Sequence, residues 1–151
     1  MSTTRRIQFS IDIAAPVAQV YRLMLDPQGY REWTRPFAEG SYYEGSWQEG
    51  EQIRFLSPSG DGMFSEIAVN RPGEYVSIRH LGCIYKGVVD TESDAARVWA
   101  QVYENYSFTA SGNGTRLVID QDVNAEFEQY LADAWPRALQ RLKALCEAAD
   151  A

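Results

Sequence analysis

The sequence predicts an α+β fold in which one long C-terminal helix lies across a curved antiparallel sheet. Three observations carry that expectation. In Ala125–Glu147, Phe127, Leu131, Trp135, Leu139, Leu142 and Cys146 recur at three- and four-residue steps, which places them on one stripe of a 3.6-residue helix. Glu128, Asp133, Arg137, Arg141 and Lys143 occupy the other side, acidic residues leading and basic ones following, as the helix dipole favours. From Ser41 to Val123 the pattern has period two, punctuated by glycine and proline turns, the signature of consecutive antiparallel strands. Finally, 151 residues with 45% hydrophobic content and no repeat or low-complexity stretch suit one domain spanning residues 1–151.

In chain order, Arg5–Ile13 alternates Ile7, Phe9, Ile11 and Ile13 with Gln8, Ser10 and Asp12, so it reads as a half-buried strand. Pro16 suits the first turn of a helix carrying Val17, Val20, Tyr21, Met24 and Leu25 at helical spacing. Asp26-Pro27 ends it and starts a second short helix, Gln28–Trp33, which stops before Pro36. Strands follow at Gln52–Leu56, Met63–Asn70 and Tyr75–Leu81, separated by the Ser57–Gly62 turn cluster and by Arg71-Pro-Gly-Glu74. Gly82 permits a bend or a bulge before a short strand Ile84–Val89. Asp90–Ala96 reads as a polar loop or one helical turn. Val98–Ala110 is expected to be the longest strand, paired through the Ser111–Gly114 loop with Thr115–Val123, and Asn124 is the expected N-cap of the final helix.

Composition excludes several function classes. Fourteen Lys and Arg against twenty-one Asp and Glu give a net charge of −7, with no basic cluster longer than Arg5-Arg6, so nucleic acid is not an expected partner. Apolar runs fall far short of the roughly 20 residues that span a bilayer, and the N-terminus leads into an alternating strand rather than a signal-peptide block, so a cytoplasmic protein without a membrane span is expected. Cys83 and Cys146 lack metal-ligand spacing and read as buried thiols. With no phosphate loop, dinucleotide fingerprint, nucleophile elbow or metal motif, neither cofactor nor metal is predicted. Asp120 and Asp122 lie opposite in parity to Leu117 and Ile119 and are expected to face solvent. Four Trp, nine Tyr and six Phe exceed what a small core needs and suit a cavity wall.

His80 is the one histidine and shares strand parity with Val76 and Ile78. Glu104 shares parity with Val102, Tyr106 and Phe108, which places it either in the interior, where a carboxylate needs a partner such as His80, Arg79 or Tyr103, or near an open end of the sheet. The face of Glu66 is left open by its neighbours. Trp33 and Trp135 are placed to close opposite ends of a cavity. Tyr42, Tyr43 and Trp47 either cap a hairpin edge or form an exposed patch for a partner or a second copy of the chain, giving a homodimer.

Three stretches carry a family resemblance: Ile11-Asp-Ile-Ala-Ala-Pro-Val-Ala-Gln-Val-Tyr21, Gly114-Thr-Arg-Leu-Val-Ile119 and Ala134-Trp-Pro-Arg-Ala-Leu-Gln-Arg-Leu142. With the element order, they resemble the START-like (SRPBCC, Bet v 1-like) superfamily, and the tryptophan-led last helix is most similar to the branch named after the activator of the heat-shock-protein-ninety ATPase. The resemblance implies a helix-grip fold, β-α-α-β(5-6)-α, with a hydrophobic cavity between sheet and helix. Its members include lipid and hormone carriers, polyketide cyclases and co-chaperone domains, so the fold alone does not choose the function. The first expectation is a binding protein for a small hydrophobic or amphipathic ligand, lined by Trp33, Phe55, Phe64, His80, Glu104, Tyr106, Trp135 and Leu139. A cyclase- or hydrolase-like enzyme using His80 and Glu104 as acid and base is the second, and an interaction domain using the Tyr42–Trp47 edge the third.

Overall fold

The computed structural model describes residues 4–100 and 102–148. Strand β1 (Thr4–Ile13) leads into helices α1 (Val17–Leu25) and α2 (Pro27–Trp33). Five strands follow, β2 (Tyr42–Gly45), β3 (Gln52–Leu56), β4 (Gly62–Arg71), β5 (Tyr75–Tyr85) and β6 (Val88–Asp90), then a helical turn α3 (Asp94–Arg97), β7 (Val102–Ser111), β8 (Gly114–Asn124) and α4 (Glu128–Ala148). The strands form one antiparallel sheet in the order β1-β8-β7-β5-β4-β3-β2, with β6 pairing to the end of β5. This is the helix-grip arrangement: the chain's first strand pairs along its whole length with its last, Thr4 opposite Asn124 through Ile13 opposite Thr115. Two register shifts between β4 and β5, one leaving Leu81 of β5 unpaired and the other Ala68 of β4, supply the bulges that bend such a sheet.

Local chemistry sets the helix boundaries. Pro16 stands in extended conformation at the N-cap of α1. The Asp26 carboxylate accepts from the backbone N–H of Gln28 and Gly29 at 3.0 and 3.1 Å, which caps α2 directly behind the end of α1. Gly29 permits that tight junction, because a Cβ there would lie 2.0 Å from the carbonyl oxygen of Leu23. Asn124 Oδ1 accepts from Phe127 N at 3.2 Å, and residues 125–127 form a turn, so regular helix begins at Glu128 rather than at Ala125. Pro136 lies inside α4, where it withholds one backbone donor.

Helix α4 buries Leu131, Ala134, Trp135, Ala138, Leu139, Leu142 and Cys146. Each large side chain so buried stabilises the fold by roughly 1.5–3 kcal/mol. The extended close approaches of α4 are to β1, α1 and α2; the middle strands β5 and β7 stand farther off. Its C-terminal end is latched. Lys143 Nζ donates to the Asp12 carbonyl at 3.0 Å, Glu147 Oε2 accepts from Ala14 N at 2.8 Å, and Gln19 Nε2 donates to the Cys146 carbonyl at 2.7 Å. Burial pushes the Cys146 thiol up to about 12. Cys83 is only half-buried, short of the burial its sequence context suggested; burial, then the nearby Asp90 carboxylate, raises its thiol above the usual value.

Two expected strand boundaries differ. The chain does not turn at Gly82: β5 continues to Tyr85, and the reversal falls at Lys86-Gly87, both with positive φ. Gly82 serves instead the approach of the β6 end, since a Cβ there would lie 2.3 Å from the Asp90 carbonyl oxygen. Asp94–Arg97 winds as a helical turn capped by the Ser93 hydroxyl. β7 therefore starts at Val102, and Val98 lies in the turn before it. Asp120 and Asp122 take up cross-strand partners, Gln8 Nε2 at 2.9 Å and Arg6 Nε at 2.8 Å. Glu66 pairs with Arg79 at 2.7 Å.

Two outcomes follow. In a helix interior Ala is ordinarily better than Gly by about 1 kcal/mol, yet Gly29→Ala is expected to destabilise the protein by about 1–3 kcal/mol, the cost of overpacking, read as a lowered midpoint in chemical denaturation. Lys143 first, then the Ala14 N–H, hold the Glu147 carboxyl below its usual value. Its contribution is therefore complete above the unfolded glutamate value of about 4.3 and is lost as pH falls through the lower folded value. The stability gap between the wild type and Glu147→Gln, measured by urea denaturation, is expected to be constant at neutral pH and to close on acidification. A gap that widens below pH 4 would contradict it.

Candidate functional site

Because α4 rests on β1 and the two short helices rather than on the middle of the sheet, a cavity of about 510 Å³ remains. Helix α2 supplies Tyr30 and Trp33; α4 supplies Tyr130, Leu131 and Trp135; the connections supply Phe37, Trp99 and Phe127; and the sheet supplies Phe55, Met63, His80, Glu104 and Gln121. Ser57 and Asp61, in the β3–β4 turn, also border it. Eight of the twenty described lining residues are Phe, Tyr or Trp. Trp33 and Trp135, rather than closing opposite ends, stack on each other with centroids 5.7 Å apart, Phe37 meets Trp135 edge-on at 5.0 Å, and Trp99 and Phe127 approach to 4.7 Å.

A polar cluster breaks the aromatic wall on the sheet side. His80 on β5 and Glu104 on β7 face the same side, with His80 Nε2 3.2 Å from Glu104 Oε1. The Tyr106 hydroxyl donates to Glu104 Oε2. Behind the imidazole, the fully buried Ser65 hydroxyl lies 2.6 Å from His80 Nδ1, since β4 and β5 place these two residues directly opposite. An ionised carboxylate only accepts, so the hydrogen between His80 and Glu104 belongs to Nε2, and in the neutral ring Nδ1 accepts from Ser65. Burial, then the Glu104 carboxylate, holds the phenols of both Tyr30 and Tyr106 well above their usual value. Beside the cluster, Trp135 Nε1 donates to Gln121 Oε1 at 3.4 Å.

Of the residues singled out from sequence, Trp33, Phe55, His80, Glu104 and Trp135 line the cavity. Tyr106 and Leu139 are buried in the adjoining core; Tyr106 reaches the site through its hydroxyl. Phe64 is a correction. It pairs with Arg54 in the β3–β4 ladder, and the Arg54 guanidinium lies 5.9 Å from its ring, while the adjacent Met63 faces the cavity. Tyr42, Tyr43 and Trp47 are half-buried at the hairpin edge rather than an exposed patch: the Arg31 guanidinium lies 5.4 Å from the Tyr42 ring, Tyr43 and Trp47 pack edge to face at 5.5 Å, Tyr43 meets Tyr30 at 5.2 Å and Trp47 meets Phe55 at 5.6 Å. Sequence reasoning missed Ser65, Gln121 and Tyr30. Gln121 could have been found, since it shares parity with Ile119 and Val123, whereas Trp99 and Phe37 lie in connections with no periodicity to reveal them.

These features define a helix-grip protein with an aromatic cavity between sheet and C-terminal helix. The chain belongs to the polyketide cyclase/dehydrase and lipid transport family, whose model matches residues 4–147. None of the curated proteins matches it. Among solved structures, a protein from Mesorhizobium loti superposes with a TM-score of 0.76 at 14% identity, covering 97% of this chain and 100% of its own. The Aha1 dimer from Colwellia psychrerythraea, determined in solution, gives 0.72 at 18% identity over 95% of this chain and 96% of that one. DynU16, from the dynemicin biosynthetic locus, gives 0.71 at 18% identity over 95% of this chain and 48% of that one. At such identities the likeness is one of fold. No described helix is long and apolar enough to cross a membrane.

The cluster geometry makes a quantitative prediction. Tyr106→Phe removes a buried donor to a carboxylate and is expected to cost about 1.5–3 kcal/mol, whereas the same change in a Glu104→Leu background costs less. A double-mutant cycle by denaturant unfolding with coupling near zero would show that the hydroxyl and carboxylate do not interact.

Proposed function

We propose that the protein binds a small apolar or amphipathic molecule in the cavity between the sheet and α4, with the aromatic wall holding its body and the His80–Glu104–Tyr106 cluster orienting one polar group. The observation that carries this reading is the composition of the lining: a volume of about 510 Å³ bordered by eight Phe, Tyr and Trp side chains with one convergent polar cluster. That is the make-up of a small-molecule site, where apolar surface supplies affinity and a few fixed polar groups supply orientation. Family membership supports it, since lipid transport is among the family's described roles.

A second reading rests on one distance. His80 Nε2 and Glu104 Oε1 are 3.2 Å apart on the cavity wall, within reach of a common bound group, as an acid and a base acting on one substrate must be. In that reading a bound group displaces the His80–Glu104 contact, and the two side chains act on it as acid and base, one giving and the other taking a proton, with Tyr106 holding the carboxylate. Cyclase and dehydrase chemistry is named in the family description, which supports the reading without choosing a substrate.

Native mass spectrometry of the purified protein, followed by thermal-shift screening with aromatic and alicyclic compounds, tests ligand binding. A retained mass, or a compound that raises the melting temperature of the wild type and fails to do so with Trp135→Ala, is expected. If no apolar compound shifts the wild type, the binding reading is wrong. Any compound found to bind is then incubated with wild type and His80→Gln: turnover lost only in the variant supports the enzyme, and binding with no turnover supports a carrier.

A further inference from the structure

Among the described residues, the cavity lining carries two carboxylates, Glu104 on the sheet wall and Asp61 at the β3–β4 turn, and not one lysine or arginine. Glu104 is largely buried, its side chain 19% exposed, and among the described residues its hydrogen-bond partners are an imidazole and a phenol rather than a guanidinium or ammonium. A buried carboxylate that lacks a permanent cation is costly, and a ligand that brings one offsets that cost. Around it stand Tyr30, Trp33, Phe55 and Trp135, whose rings attract positive charge through their negative faces. The protein as a whole is acidic, with a net charge of −7, so its field favours the approach of cations.

We infer that the cavity selects organic cations: amines or quaternary ammonium compounds with a ring-bearing apolar body, the charged nitrogen placed against Glu104. This rests on the ligand-binding reading above and narrows it. The same arrangement acts against fatty acids and other anionic amphiphiles, because their head group would meet Glu104 or Asp61 with no basic side chain to offset the repulsion. A neutral ligand of the same shape keeps the apolar contacts and loses the charge term. His80 offers such a ligand no further hydrogen-bond acceptor, since its imidazole is engaged on both nitrogens, by Ser65 and Glu104.

Three probes of one shape separate these terms: 1-naphthylmethylamine, 1-naphthalenemethanol and 1-naphthoate, titrated calorimetrically into the full chain at pH 8 and low ionic strength, above the ordinary imidazole range. The amine is expected to bind about tenfold tighter than the alcohol, the scale of a desolvated cation beside aromatic rings, and the carboxylate weakest. Glu104→Gln is expected to remove most of the amine's advantage while Asp61→Asn keeps most of it. Equal affinities for the three, or tightest binding by the carboxylate, overturn cation selection and leave ligand binding standing. Absence of binding by all three overturns both. Should Glu104→Gln fail to fold, the ranking of the three probes on the unaltered chain decides alone.

Discussion

Trp135 is the point at which the layers of this protein are keyed together. Its indole stacks on Trp33 of α2 at 5.7 Å and on Phe9 of β1 at 6.2 Å, meets Phe37 and Tyr106 edge-on at 5.0 and 6.2 Å, and donates its N–H to Gln121 of β8. One side chain thus fixes the C-terminal helix against the short helices, the first strand and the sheet. The polar tip finds a partner inside the core, as a buried indole requires. With the helix held at that point and latched at its far end by Lys143, Glu147 and Gln19, its distance from the middle strands is set by the bend of the sheet. The cavity is what the bend leaves over.

That geometry explains why polar residues are tolerated on the concave face. Ser65, His80, Glu104 and Gln121 would be expensive if packed against leucines. They satisfy one another instead, in a chain from Ser65 to His80 to Glu104 with Tyr106 donating from the other side, and Gln121 accepting from Trp135. Such a network orders the groups that face the cavity. The aromatic residues around them give bulk and rigidity with few rotatable bonds, a suitable wall for a site meant to stay open.

Much of the fold was legible because its elements repeat. The stripe from Phe127 to Cys146, the proline at the head of α1, the Asp26 cap and the alternation of β1 and β8 each state a period or a cap that chemistry enforces. Where no period exists, the reading failed. Gly82 looked like a bend because glycine supplies one so often, yet here it makes room for the end of β6. Val98 and Ala100 mimic a strand, but Ser93 caps a helical turn first, and Trp99 closes on Phe127 instead. In β4 neither parity is clearly apolar, and the unbroken register with β3 sets Phe64 opposite Arg54 while Met63, on the other face, borders the cavity. The His80–Glu104 pair was within reach because both lie on strands of clean parity; Ser65 was not, because its role depends on a cross-strand register that the sequence does not state.

The central claim is that the gap between α4 and the sheet is an open site with Glu104 as its charged wall. A high-resolution crystal structure of the protein, purified without added ligand, addresses it most directly. Continuous non-protein density between Trp33, Phe55 and Trp135, or ordered water within hydrogen-bonding distance of Glu104, is the predicted result. A space closed by the side chains of α4 and β7, with Glu104 turned out to bulk solvent, would contradict it.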